Sequence, residues 1–192
     1  MRTIDERLKR DLEPILDLPD PRPTISAYHD MPFAIFVYPS RDEFVMRDQV
    51  RQLRARLMLK GKRITMISLA DCLHQALEAE GLGAGGLAEA ERNSDLPAAV
   101  DTAFNILSDL QPLDQLVAAQ VPGDADPTRD LVFMVRAGAL FPLYRTSALL
   151  EQLKGKVAVP MVLFYPGLLI PPTGLKFMEE LDAEHNYRPR IF

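Results

Sequence analysis

The stretch from Leu131 to Gly167 constrains the fold of this chain more than any other. Leu131-Val132-Phe133-Met134-Val135 and Ala158-Val159-Pro160-Met161-Val162-Leu163-Phe164-Tyr165 are apolar runs with no charged residue inside them. A strand with one wet face alternates apolar and polar residues, whereas an unbroken apolar run belongs to a strand buried on both faces, as in parallel sheets. Between the runs, Gly138 marks a turn, and Arg145 to Leu153 carries Leu149, Leu150 and Leu153 at helical spacing before Gly155 closes the segment. Parallel strands need a crossover, so strand, helix and strand form one βαβ unit. Pro160 lacks an N–H donor and is expected at the entrance of its strand.

The rest of the chain repeats this alternation. Residues 1–20 show Ile4, Leu8, Leu12 and Ile15 or Leu16 at helical spacing and are expected to form an N-terminal helix, stopped by Pro19 and Pro21. Phe33-Ala34-Ile35-Phe36-Val37-Tyr38 is a further buried strand, ended by Pro39. A helix then opens at Arg41-Asp42-Glu43 with acids in its first turn, as the helix dipole prefers, and runs to Gly61. Its core stripe is Met46, Val50, Leu53 and Leu57, while Arg47, Arg51 and Arg54 follow one position later around the cylinder. Arg63 to Leu69 supplies the next strand, parallel to the first, and Asp71 to Glu80 the next helix. Gly81 to Gly86 reads as a hinge within a flexible insertion at 81–97. Pro97 to Leu110 is expected to be helical through Val100, Ala103, Phe104 and Leu107, Leu113 to Ala119 a further helical segment, and Pro122 to Pro127 a loop. After Gly167, a loop over Leu168 to Pro172 is expected to lead into a helix from Thr173 or Gly174 to Leu181, and Asn186 to Phe192 to form an edge strand. The expectation is a single α/β domain over 1–192. Its sheet is mostly parallel, of about five strands, with helices on both faces: Rossmann-like, but without a Walker A loop.

Composition narrows the function classes. A chain of 192 residues with 47% hydrophobic and 26% charged residues is ordinary for a globular protein, and no apolar run approaches the ~20 residues that span a bilayer. The charged N-terminus lacks the apolar core of a secretion signal, and the single cysteine, Cys72, forms no internal disulfide, so a cytoplasmic location is expected. Net charge is −5, unevenly spread: Arg41 to Arg63 holds eight basic and three acidic residues, Asp71 to Asp130 two basic and twelve acidic. A surface of two signs suits docking to charged partners as well as plain solvation.

In such folds ligands sit beyond the carboxyl ends of the strands. That edge is expected to carry Tyr38-Pro39, Gly138 with Arg145 and Ser147, and Tyr165-Pro166-Gly167. A fixed cation near a helix start makes Gly138, Arg145, Ser147, Tyr165 and Gly167 candidate ligand-binding residues. The structural alternative has the glycines permitting tight turns while Arg145 ties its loop to a carboxylate. Arg47, Arg51 and Arg54 are candidate interaction residues, for a partner or a phosphate backbone. The Gly138–Ser147 segment lacks the second glycine and the lysine of G-x-x-x-x-G-K-[ST], which excludes a P-loop. Gly81-Leu82-Gly83-Ala84-Gly85-Gly86 follows a helix, where a dinucleotide-binding turn must follow a strand. Ser147 lacks the G-x-S-x-G elbow, and His29, His74 and His185 lack metal-binding spacing, so no catalytic residue and no cofactor or metal is assigned.

Three segments together carry a family resemblance. Gly138-Ala139-Leu140-Phe141-Pro142-Leu143-Tyr144-Arg145-Thr146-Ser147 fits G-x-[hydrophobic]-[FY]-P-[hydrophobic]-[hydrophobic]-R-x-[SH]. Val159-Pro160-Met161-Val162-Leu163-Phe164-Tyr165-Pro166-Gly167 fits V-P-x-V-x-F-[YF]-P-G, and Tyr187-Arg188-Pro189-Arg190 fits a closing Y-R-x-[FR]. With Phe33 to Pro39 as an early F-x-I-[FY]-x-Y-P strand, the chain resembles the BrxB family of the BREX bacteriophage-exclusion systems. It departs from the family pattern at Arg136 and in the proline-rich Leu168 to Pro172. The resemblance implies cytoplasmic antiviral defence beside a large ATPase, a phosphatase-like protein and a DNA methyltransferase, and it implies no catalytic residue. The leading functional reading is a non-catalytic adaptor that docks other BREX proteins. The alternative is a small nucleotide- or phosphate-binding regulator, and direct nucleic-acid binding by Arg47, Arg51, Arg54 and Arg56 is a third, weaker reading for an acidic chain.

Overall fold

The computed structural model describes residues 2–26, 31–83, 85–93, 95–171, 173–185 and 187–192. His29, Pro172 and Asn186, each named in the expectations above, lie outside them. Six strands are present among the described residues: β1 (Phe33–Tyr38), β2 (Arg63–Ser68), β3 (Asp130–Val135), β4 (Met161–Ile170), β5 (Gly174–Phe177) and β6 (Arg190–Ile191). They are ordered β2-β3-β4-β1-β6, every pair parallel, with β5 antiparallel to the far end of β4. Pro160 directly precedes β4, where its missing donor costs no ladder bond, and β6 is the edge strand at the C-terminus.

Period-two alternation divides the buried strands between two cores. Phe33, Ile35 and Val37 of β1, Val132 and Met134 of β3, and Met161, Leu163 and Tyr165 of β4 face one side. Ala34, Phe36, Leu131, Phe133, Val162 and Phe164 face the other. The first core is covered by the helices Leu69–Ala79, Leu113–Ala118 and Thr146–Gln152. The second is covered by Glu43–Leu59 through Met46, Val50, Leu53 and Leu57, and by the N-terminal helical segments through Leu8, Leu12 and Leu16. The helix leaving β1 therefore lies on the opposite face from the helices leaving β2 and β3.

Two expectations need correction. The segment after Gly167 is a hairpin, not a loop followed by a helix: β4 continues to Ile170, and Gly174–Phe177 returns antiparallel with Gly167 opposite Phe177. A helix through this region fails at Met178 and Glu179, whose backbones are left-handed (φ 52° and 67°), while Leu175 and Phe177 bury on one face as strand alternation requires. In the segment expected from Pro97, the α-helix Leu96–Asn105 gives way to a π turn over Ile106–Leu110. The wider turn rotates the stripe, so Ala99, Ala103, Ile106 and Leu107 are buried and Phe104 is half-exposed, stacked on Tyr144. Within the 81–97 segment, expected as a flexible insertion, Gly86–Asn93 is helical.

Phe164 is the keystone of the second core, with Phe133 edge-on at 5.3 Å and Phe36 tilted at 6.1 Å. Phe164→Ala is expected to lower unfolding free energy by about 3–5 kcal/mol, measured by urea denaturation, because a central strand has little freedom to collapse into the cavity.

Candidate functional site

Three chain segments leave the carboxyl ends of β1, β3 and β4 and enclose a cleft of about 250 Å³. After β1, Pro39 leads into a 3-10 turn at Ser40–Asp42 and then the Glu43–Leu59 helix, which presents Ser40, Glu43 and Arg47 to the cleft. After β3, Arg136 and a 3-10 turn at Ala137–Leu140 contribute Arg136, Gly138 and Ala139. Pro166 of β4 and Met178, just past β5, close the remaining side. Because the connections from β1 and β3 diverge to opposite faces of the sheet, this is its topological switch point, where open α/β sheets bind ligands.

The walls are built by charged hydrogen bonds. Glu43 accepts from the Tyr38 hydroxyl and from Arg47 Nε at 2.8 Å. Burial, with the adjoining Glu43 carboxylate, pushes the Tyr38 phenol well above its ordinary pKa, so it stays protonated and donates. Arg136 Nη1 donates to Asp71 at 2.9 Å, and Glu179 Oε1 accepts from the backbone N–H and the hydroxyl of Ser40 at 2.9 and 3.1 Å. Arg136, Met178 and Glu179 are the three non-glycine residues with a left-handed backbone among those described, and all three stand at this cleft. Each such residue costs about 1–2 kcal/mol and persists only where its surroundings enforce it.

The structure divides the residues expected from sequence. Gly138 lines the cleft, and a Cβ there would stand 3.1 Å from Met178 Sδ and 3.6 Å from Pro166 Cγ. Arg145 projects into a neighbouring cluster and donates to Glu184 at 2.7 Å. Tyr165 is fully buried there, 5.3 Å from Phe177 and 6.0 Å from Tyr187 between ring centroids. Tyr187 also donates to Glu184 at 3.0 Å and shares a 3.2 Å hydrogen bond with buried Thr146, whose half-buried neighbour is Ser147. Gly167 lies in the β4–β5 hairpin, where a Cβ would collide with the Lys176 carbonyl oxygen and lie 2.7 Å from the Tyr165 ring. Among Arg47, Arg51 and Arg54, only Arg47 reaches the cleft; exposed Arg51 pairs with Asp48 one turn back, and Arg54 is exposed. Arg56 of the same helix is bound to Glu13 at 2.7 Å. Among the described residues, no group of three or more His, Cys, Asp and Glu side chains is placed to hold a metal ion.

Ser40, Glu43 and Arg136 were not singled out as site residues by pattern. The signal for Arg136 was its position between the last residue of a buried strand and Gly138. A second depression, of about 410 Å³, runs beside the site between Arg2, Arg7, Pro39, Leu168, Leu169 and Phe192. Phe44 and Val45, the first exposed apolar residues of the Glu43–Leu59 helix, are 76% and 53% exposed, and Leu168 and Leu169 of the hairpin 41% and 46%. No described helix is long and apolar enough to cross a membrane.

A family model described as BREX protein BrxB matches residues 65–191, about two thirds of the chain. The chain belongs to the BrxB family. A curated relative, BREX protein BrxB of Bacillus cereus (strain H3081.97), is 28% identical over 171 residues, which cover 87% of this chain and 86% of that protein. No solved structure matches the chain. The BrxB match takes in β3, β4 and the hairpin, and with them Arg136, Gly138, Pro166 and Met178 of the cleft, while Ser40, Glu43 and Arg47 precede it.

Two measurements follow from this geometry. A double-mutant cycle on Arg145 and Glu184 is expected to give a coupling of about 0.2–1 kcal/mol, because Arg145 is half-exposed and its pair is solvent-screened. Burial, with Glu184 beside it, pushes the Tyr187 phenol up to about 12 against an unfolded value of about 10. The raised value means that its stabilisation is intact below pH ~10 and lost as pH climbs to about 12. In urea titrations the advantage of the native protein over Tyr187→Phe is expected to narrow across that interval.

Proposed function

We propose that this chain is a non-catalytic docking subunit of a BREX phage-defence assembly in the cytoplasm. Its partners under this reading are the other proteins of the system: a large ATPase, a phosphatase-like protein and a DNA methyltransferase. Membership of the BrxB family supports the BREX setting. The observation that carries the docking role is the apolar surface beside the carboxyl edge of the sheet. Phe44 and Val45 on the Glu43–Leu59 helix and Leu168 and Leu169 on the hairpin are exposed apolar side chains held on rigid elements. The depression beside Leu168 and Leu169 is edged by Arg2 and Arg7, and an adjoining one beside Val45 is edged by the same arginines with Arg41, Asp5 and Asp42. Apolar anchors within a charged rim are the anatomy of a protein interface, where a few anchors carry the affinity and the rim sets the choice of partner. The acidic stretch from Asp71 to Asp130 supplies a second surface of opposite sign.

Co-expression with the products of neighbouring BREX genes and affinity purification test this reading. A stable complex is expected. Leu168→Glu combined with Leu169→Glu is expected to reduce recovery of the bound partner at least tenfold, while leaving the melting temperature within a few degrees because both side chains are half-exposed. Elution of the native chain alone, with every neighbouring product present, contradicts it.

A further inference from the structure

Docking through the apolar surface leaves the switch-point cleft without a task, although the chain maintains three left-handed residues around it. We infer that this cleft binds a small phosphate-bearing anion, gripped between Arg47 and Arg136.

Among the residues that line the cleft, cations outnumber anions. Two guanidiniums line it against one carboxylate, Glu43, and that carboxylate is already shared between the Tyr38 hydroxyl and Arg47. Asp71 is paired with Arg136, while Glu179, held by the neutral Ser40, keeps its charge at the edge of the cleft. Both arginines keep donors in hand. Arg47 reaches Glu43 through Nε, Arg136 reaches Asp71 through Nη1, and a guanidinium carries five N–H groups. The paired carboxylates thus hold the two forks in place rather than exhaust them.

The shape favours phosphate over a carboxylate. A planar carboxylate is satisfied by one guanidinium fork, whereas tetrahedral oxygens call for donors from several directions. Here the guanidiniums come from two different segments, one following β1 and one following β3. A left-handed Arg136 followed by a 3-10 turn is the backbone pattern of an anion nest, while at Gly138 the space of a Cβ is taken by Met178 Sδ and Pro166 Cγ, which pack against this turn. A volume of about 250 Å³ accommodates a phosphate and a modest substituent but not an extended chain.

Isothermal titration of the full chain with inorganic phosphate and, separately, with AMP and ADP at constant ionic strength tests the proposal. Saturable one-to-one binding of at least one probe is expected, weakened at least tenfold in Arg136→Gly and in Arg47→Met. Arg136→Gly is the decisive variant, since glycine accepts the left-handed backbone and the fold is expected to melt no lower than the native protein. Arg145→Ala, whose guanidinium sits on Glu184, is expected to bind as the native chain does. Equal affinity for phosphate and AMP assigns a free phosphate, and tighter binding of AMP or ADP assigns a nucleotide. No heat and no melting shift with any probe, retained affinity in both arginine variants, or a response to a DNA oligonucleotide alone overturns it. Because partner recovery is measured separately, the docking reading stands or falls apart from this result.

Discussion

The backbone of β4 is the interaction on which the rest depends. It is hydrogen-bonded on one edge to β1 over six residues and on the other to β3, and beyond Gly167 it carries β5. Buried peptide groups must find partners, and an unsatisfied one costs about 1–3 kcal/mol, so a strand flanked on both edges holds its neighbours in register. Its side chains then belong to two cores at once: Phe164 meets Phe36 and Phe133 on one face, and Tyr165 meets Phe177 and Tyr187 on the other. The alternation Met161, Leu163, Tyr165 against Val162, Phe164 settles which helices lie above the sheet and which below.

The same strand shapes the cleft. The connections from β1 to β2 and from β3 to β4 run in opposite directions along the sheet, so crossovers of one hand put them on opposite faces and open a crevice above the end of β4. Gly167 then admits the returning Lys176 backbone so closely that no side chain fits, and β5 brings Met178 and Glu179 back over the crevice. Glu179 caps the first turn after β1 through Ser40. The left-handed backbones at Met178, Glu179 and Arg136 are held there by a sheet that can bear their cost.

The two-sided burial of β1, β3 and β4 was legible because each is an apolar run, and the Glu43–Leu59 helix because Met46, Val50, Leu53 and Leu57 keep a helical period. The BrxB family was legible from the Gly138–Ser147 and Val159–Gly167 motifs, which lie inside the matched segment. The hairpin was not. Gly174 to Phe177 is too short for its alternation to outweigh a helical reading, and its pairing with β4 is a tertiary fact. Of the expected ligand residues, Gly138 lines the cleft, whereas Arg145 lies on Glu184 and Gly167 in the hairpin. Arg47 and Arg136 are remote in sequence and line one cleft because the parallel strands β1 and β3 end at the same edge of the sheet, on either side of β4. Strand order is invisible to periodicity, so a residue read as one of a row of surface arginines becomes half of a cleft.

Native-state hydrogen exchange tests this dependence most directly. If β4 organises the sheet, the amides of Val162 to Tyr165 exchange only through global unfolding and are the slowest in the protein, with β1 and β3 close behind and the edge strands β2 and β6 faster. Exchange of the β4 amides through a low-energy local opening, faster than those of β2, would contradict the account.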